Sequence, residues 1–141
     1  MPIRKPIATG SAVGAIASVG ALLSMVAATP AGEGLALATA VLLLATGPVA
    51  ARASRASTPR TAVLIGLLAS VATFVTFGVL IGIAVVVTWA ASGEPVGGLT
   101  GLWLIGLMVV DPLVPLAFCA FGAIAATLYR IAAAHGLGPS R

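Results

Sequence analysis

The sequence predicts an all-α integral membrane protein with a single domain over residues 1–141, chiefly because of where charged side chains are missing. Hydrophobic residues make up 60% of the chain and charged residues only 7%, whereas soluble domains carry about 25% charged residues. Glu33 is the only charged side chain between residues 6 and 51, and Glu94 and Asp111 are the only ones between residues 61 and 129. Such segments are apolar on every side, which predicts membrane helices, because barrel strands would alternate between apolar and polar residues.

Four apolar segments are predicted to cross the membrane, at about residues 7–28, 35–51, 61–91 and 112–134. About 20 helical residues cross the hydrocarbon layer, so every segment is long enough or nearly so. Turns rich in glycine, proline and glutamate occupy residues 29–34 and 92–98, and a polar loop occupies residues 52–60. Gly47-Pro48 is expected to break the second segment near its end.

The basic residues predict the orientation of the chain in the membrane. They flank the apolar segments in three groups: Arg4 and Lys5, then Arg52, Arg55 and Arg60, then Arg130 and Arg141. The two remaining turns carry Glu33 and Glu94 and no Lys or Arg. Because basic residues collect on the cytoplasmic side, this asymmetry predicts a four-helix bundle with both termini in the cytoplasm. The basic residues form no dense patch, so we expect no nucleic-acid partner.

The first apolar segment also imitates a secretory signal peptide, because Arg4 and Lys5 precede it and alanines follow it. Its apolar run of about 22 residues is longer than the usual signal core of about 7–15 residues. Pro30 also lies where the cleavage site would be. We therefore expect a retained first helix.

Asp111 is the candidate polar site, because an ionisable side chain in an apolar region is by default a functional hypothesis. The Asp111-Pro112 pair also fits a helix start, with Asp111 as the N-cap and proline in the first turn. Residues 112–134 then form the fourth span, and residues 99–110 form a short extra helix near the outer surface. The alternatives are one long kinked helix with Asp111 inside the bilayer, and a fifth span, which conflicts with the charge pattern.

Small residues at four-residue spacing predict close helix packing. They are Gly10, Gly14 and Ser18 in the first segment, Gly78 and Gly82 in the third, and Gly122 with Ala126 in the fourth. Such a stripe lets two helix backbones approach closely in lipid, where dispersion contacts drive association. The partner helix is either internal or in another subunit, and the competing interpretation is generic tolerance of glycine in membrane helices.

The two halves of the chain resemble each other faintly. An apolar helix, a turn with glutamate, a second apolar run and a proline break occur in residues 7–48 and again in residues 61–112. This order suggests a duplicated helical hairpin, although a chain rich in alanine, glycine and leucine produces such matches easily.

The residues that carry chemistry are too few to predict an enzyme. Cys119 is the only cysteine and His135 the only histidine, so we expect no metal site, haem or other cofactor. The leading hypothesis is a structural or accessory membrane protein that packs with itself or with a larger membrane complex. The alternatives are a small oligomeric transporter or channel that uses Asp111, and a holin or virion membrane component. The Ala-, Gly- and Arg-rich composition favours a prokaryotic plasma membrane or a viral membrane.

Overall fold

The computed structural model describes residues 3–27 and 30–136, and these residues form six helices and no strand. The helices are α1 (Arg4–Val26), α2 (Ala31–Leu44), α3 (Thr46–Ala53), α4 (Pro59–Ser92), α5 (Leu99–Val110) and α6 (Leu113–Ala134). The predicted all-α class is therefore confirmed.

Three helices, α1, α4 and α6, are long and apolar enough to cross a membrane. The second predicted segment is divided into α2 and α3, which meet at Ala45 at an angle of 48° and would count as a fourth span if they cross together. Pro48 explains the position of the break. It has no N–H to donate to the carbonyl of Leu44, and its ring excludes that carbonyl from the helix, so α2 ends one turn before the proline.

Helix α4 begins earlier than the apolar pattern predicted, because Thr58 caps it. The Thr58 side chain accepts the backbone N–H of Thr61, the Thr61 side chain accepts the N–H of Thr58, and Pro59 occupies the first turn. The helix ends at Gly93, which takes the left-handed conformation with φ 77°. Its 34 residues extend about 51 Å, so it is longer than the hydrocarbon layer of about 30 Å.

The long helices pack around α4. Gly10 faces Ala69 and Gly14 faces Thr73, so the residue numbers rise together and α1 runs parallel to α4. Helix α6 runs antiparallel to α4, because Phe118 contacts Phe74 whereas Gly122, farther along α6, faces Gly66. Helix α3 packs against α1, α4 and α6, and α2 packs mainly along α1.

This arrangement gives the bundle two chemically different ends. The basic end contains Arg4 and Lys5, the loop with Arg52, Arg55 and Arg60, and Arg130. Arg130 joins two of these groups, because its Nη2 donates to the carbonyl of Ser57 at 2.9 Å. The acidic end contains Glu33 in the first turn of α2 and Glu94 in the turn before α5, and Asp111 lies before the start of α6, the end of that helix that is farther from Arg130. Arg141 lies outside the described residues.

The two halves of the chain share an order of elements. A long helix, a connection, a helix of 14 or 12 residues, a break and a further helix occur in α1–α3 and again in α4–α6. Glu33 lies in the first turn of α2, whereas Glu94 lies in the connection before α5. The first break lies at Ala45, three residues before Pro48. The second lies at Asp111, directly before Pro112.

Candidate functional site

The predicted packing residues of α1 lie directly against α4. A Cβ atom built on Gly14 would be 2.7 Å from the carbonyl oxygen of Thr73, and one on Gly10 would collide with the carbonyl of Ala69. Thr73 Oγ1 donates to the carbonyl of Gly10 at 2.9 Å, which joins the two helices by a buried hydrogen bond. Ser18 is also buried, and its hydroxyl donates to the carbonyl of Gly14 within α1. The Gly10 and Gly14 positions of this stripe therefore pack against α4 of the same chain.

A second close contact joins α3, α4 and α6 through three glycines. A Cβ on Gly66 would be 2.8 Å from the Cβ of Ala126, and one on Gly47 would collide with the carbonyl of Gly122. Gly122 itself faces the hydroxyl of Ser70. Sequence reasoning found Gly122 and Ala126 but missed Gly47 and Gly66. The four-residue spacing of Gly66 and Ser70, and that of Gly47 and the buried Ala51, were usable signals.

The glycines of the outer part of α4 are different. Gly82 has open space where a Cβ would lie, as judged against the described residues. Gly78 is partly buried. The four-residue spacing alone therefore does not separate a glycine at a helix contact from one beside open space.

Buried hydroxyl groups lie at the same three-helix contact. Ser70 and Thr46 are 0% and 1% exposed, and within the described part of the chain neither hydroxyl has a hydrogen-bond partner. Thr73, one turn from Ser70, has its partner on α1. The interior at this level thus holds one satisfied and two unsatisfied hydroxyl groups, and unsatisfied buried groups weaken a fold.

Asp111 lies at the break between α5 and α6. Its Oδ1 accepts the backbone N–H of Leu113 at 2.9 Å, which satisfies one of the free donors at the start of α6. Its backbone is extended, with φ −99° and ψ 103°, so residues 99–134 do not form one continuous helix. The side chain is partly exposed, and it does not line the cavity described next.

Near the acidic end, a cavity of about 770 Å³ lies between α1, α2, α4, α5 and the start of α6. Its floor is formed by Leu43, Phe74, Phe77 and Phe118, and Glu33 is the one ionisable residue among those that line it. Ala36 and Ala40 of α2 are exposed and also line the cavity, so it is open along this helix.

The cavity has few polar groups that a ligand could use. Ser24 donates to the carbonyl of Ala21 at 2.7 Å, and Thr39 donates to that of Leu35 at 2.8 Å. Both hydroxyls are therefore engaged within their own helices. Among the described residues no group of three His, Cys, Asp or Glu could hold a metal ion. What remains is a largely apolar chamber whose other polar side chains are Glu33 and Thr100, which suits noncovalent binding of an apolar group.

Comparison with protein-family models, with curated proteins and with solved structures gives no match to this chain. The class of protein is therefore defined by the fold and the site alone. Over its described residues it is a helical protein with three membrane-compatible helices, a glycine-packed interior and a large apolar cavity.

Proposed function

We propose that this chain is a four-span integral membrane protein with an accessory role, which acts by noncovalent association inside the bilayer and carries no chemistry of its own. The spans are α1, the bent pair α2–α3, α4 and α6, with the basic end in the cytoplasm. The collection of Arg and Lys side chains at one end of the bundle supports this orientation. The composition favours a prokaryotic plasma membrane, with a viral membrane as the alternative.

The observation that carries the accessory role is the closure of the bundle by backbone contacts. At the level of Gly66 and Gly122, helices α3, α4 and α6 approach so closely that a single added Cβ would not fit. A transport path through the interior of a single chain would have to pass this level. The cavity lies on the acidic side of it, and its walls offer an apolar group more contacts than they offer an ion.

The association is proposed to use the side of α2 and not the stripe on α1. Gly10 and Gly14 are already occupied by α4, so they are not available to a second subunit. The face of α2 outside the cavity, by contrast, presents Leu37, Val41 and Leu44 to the surroundings. A larger membrane complex or a second copy of the chain would meet the protein there, beside the cavity and not across its open side.

The transporter alternative depends on Asp111, and its position gives that alternative little support. The carboxylate bonds to the start of α6 and does not line the cavity. Reconstituted proteoliposomes test the choice. We expect proton and cation fluxes equal to those of protein-free liposomes, for the wild-type chain and for Asp111→Asn alike. A pH- or cation-dependent flux that Asp111→Asn abolishes, with the fold intact, would contradict the accessory role and favour transport.

A further inference from the structure

We propose that the cavity at the acidic end binds one acyl chain of a membrane phospholipid, drawn from the adjacent leaflet, whose amine-bearing headgroup lies beside Glu33. This inference rests on the proposed orientation in the membrane, and it adds a ligand to the accessory role. It is carried by the depth of the cavity, by its apolar lining, by its open side and by the sign of the charge at its mouth.

The cavity is as deep as one leaflet. Along α2 its lining extends from Glu33 to Leu43, which is about 15 Å at helical rise. Half of the hydrocarbon layer is also about 15 Å. The mouth at Glu33 therefore lies at headgroup level when the floor at Phe74 and Phe77 lies near the bilayer centre.

The walls suit a hydrocarbon chain. The two hydroxyls that α1 and α2 contribute are bonded within their helices, and aromatic rings and small apolar side chains make up the rest of the deep part. An apolar cavity gains little from water, and an empty one loses the dispersion contacts of its lining atoms. A chamber of about 770 Å³ that opens into a bilayer is filled most simply by the hydrocarbon that surrounds it.

The opening faces the bilayer. Helix α2 packs mainly along α1, and the cavity separates it from Leu104 of α5 and from Val114 and Phe118 of α6. On this side the cavity is lined by Ala36 and Ala40, whose side chains are small and exposed. A chain already in the leaflet can enter sideways here without leaving the hydrocarbon.

The floor of the cavity argues against a helix of a partner protein as the occupant. Phe74, Phe77 and Phe118 line its inner end, and α3, α4 and α6 are in close contact beyond them, so a spanning helix cannot continue through it.

The charge at the mouth selects the headgroup. The turns of the acidic end carry Glu33 and Glu94 and no Lys or Arg. Anionic headgroups are therefore repelled, and a primary ammonium group can pair with Glu33. Because Glu33 is exposed, its pairing is weak, and we expect a preference for phosphatidylethanolamine over phosphatidylglycerol of about two- to fivefold.

Photocrosslinking tests the proposal. The full chain is reconstituted in nanodiscs that contain phosphatidylethanolamine with a diazirine near the end of one acyl chain, and crosslinked peptides are mapped by mass spectrometry. We expect crosslinks at Phe74, Phe77 and Phe118. Ala40→Phe, which fills the cavity from its open wall, should reduce them to background, whereas Ala38→Phe on the same helix outside the cavity should not. Glu33→Gln should keep the crosslinks and remove the headgroup preference.

Several results would overturn the proposal. Floor crosslinks that persist unchanged in Ala40→Phe would mean annular lipid contact only, and so would crosslinks confined to lipid-facing residues such as Val79. A preference for phosphatidylglycerol would contradict the role of Glu33. These results concern lipid binding alone, whereas the accessory role fails only if an ion flux appears in proteoliposomes. Failure of the lipid site is therefore distinguishable from failure of the accessory role.

Discussion

The basic half and the acidic half of the bundle share α1, α4 and α6 but pack in opposite ways. Toward the basic end, Gly10, Gly47, Gly66 and Gly122 bring backbones into direct contact. Toward the acidic end, the same α4 and α6 meet through Phe74 and Phe118, whose ring centroids are 6.2 Å apart. The helices therefore separate there, and a cavity of about 770 Å³ remains between them and α2.

This difference shows which property of a side chain sets helix separation in lipid. Both halves are apolar, so hydrophobicity does not distinguish them. Size does, because association in a bilayer depends on close dispersion contacts and backbone approach. Glycine lets α3, α4 and α6 touch, and phenylalanine only about one or two turns away holds α4 and α6 apart. Variants that change size at matched positions therefore test the comparison.

The largest effect is expected at Gly122. Leucine there would collide with the hydroxyl of Ser70 and force α6 away from α4, at a cost of about 3 kcal/mol or more, the upper part of the usual overpacking range. Gly82→Leu on α4 is the matched control, because its side chain enters open space, and we expect a change within about 0.5 kcal/mol. Reversible unfolding in mixed micelles measures both. Equal effects of the two substitutions would mean that the three-helix contact does not hold the basic half together.

The next effect is expected at Gly14 on α1. Leucine would push into the Thr73 backbone and weaken the α1–α4 pair by about 1–3 kcal/mol. Because the partner is α4 of the same chain, the thermal midpoint in detergent should fall while the oligomeric state stays unchanged. If Gly14→Leu leaves the midpoint unaltered, or if it dissociates an oligomer, the stripe packs against something other than α4.

At the acidic end, Asp111 should act through its oxygen and not through its charge. Asp111→Ala removes the acceptor of the Leu113 N–H and should destabilise by about 0.5–2 kcal/mol, the usual value of an N-cap. Asp111→Asn keeps an acceptor and should be nearly silent. The free energy of unfolding distinguishes them. Equal losses in both variants would show that the carboxylate charge matters.

The smallest effects are expected from removing the buried hydroxyls of Ser70 and Thr73, which lie one turn apart on α4. Thr73→Val removes the hydrogen bond to Gly10 at nearly constant shape and should cost about 0.6 kcal/mol and at most about 1.7. Ser70→Ala removes a hydroxyl that has no partner among the described residues, and it should be neutral or slightly stabilising. The test is which substitution lowers the free energy of unfolding more. A larger loss for Ser70→Ala than for Thr73→Val would mean that the Ser70 hydroxyl has a hydrogen-bond partner in the membrane.

Much of the fold could be predicted from the sequence, because the helices follow from missing charges and the turn over residues 92–98 follows from glycine, proline and glutamate. The turn predicted over residues 29–34 is wrong in part, because α2 already begins at Ala31. The end of α2 at Leu44 is a local effect of Pro48 and was expected only a few residues later. What the sequence could not provide is non-local. The stripe on α1 predicted a close neighbour but not that α4 is that neighbour. The four-residue spacing of Gly47 and Ala51 likewise does not indicate that α6 lies against Gly47. The cavity is less predictable still, since it depends on what several helices leave unfilled.

The central claim is that the two ends of the bundle lie on opposite sides of the membrane, and cysteine accessibility tests it most directly. In a Cys119→Ala background, single cysteines replace Ser57 at the basic end and Glu33 or Glu94 at the acidic end, and intact cells are treated with an impermeant maleimide. The account predicts that Glu33→Cys and Glu94→Cys react from outside and that Ser57→Cys reacts only after lysis. Labelling of Ser57→Cys in intact cells, or protection of both acidic-end cysteines, would contradict the four-span topology.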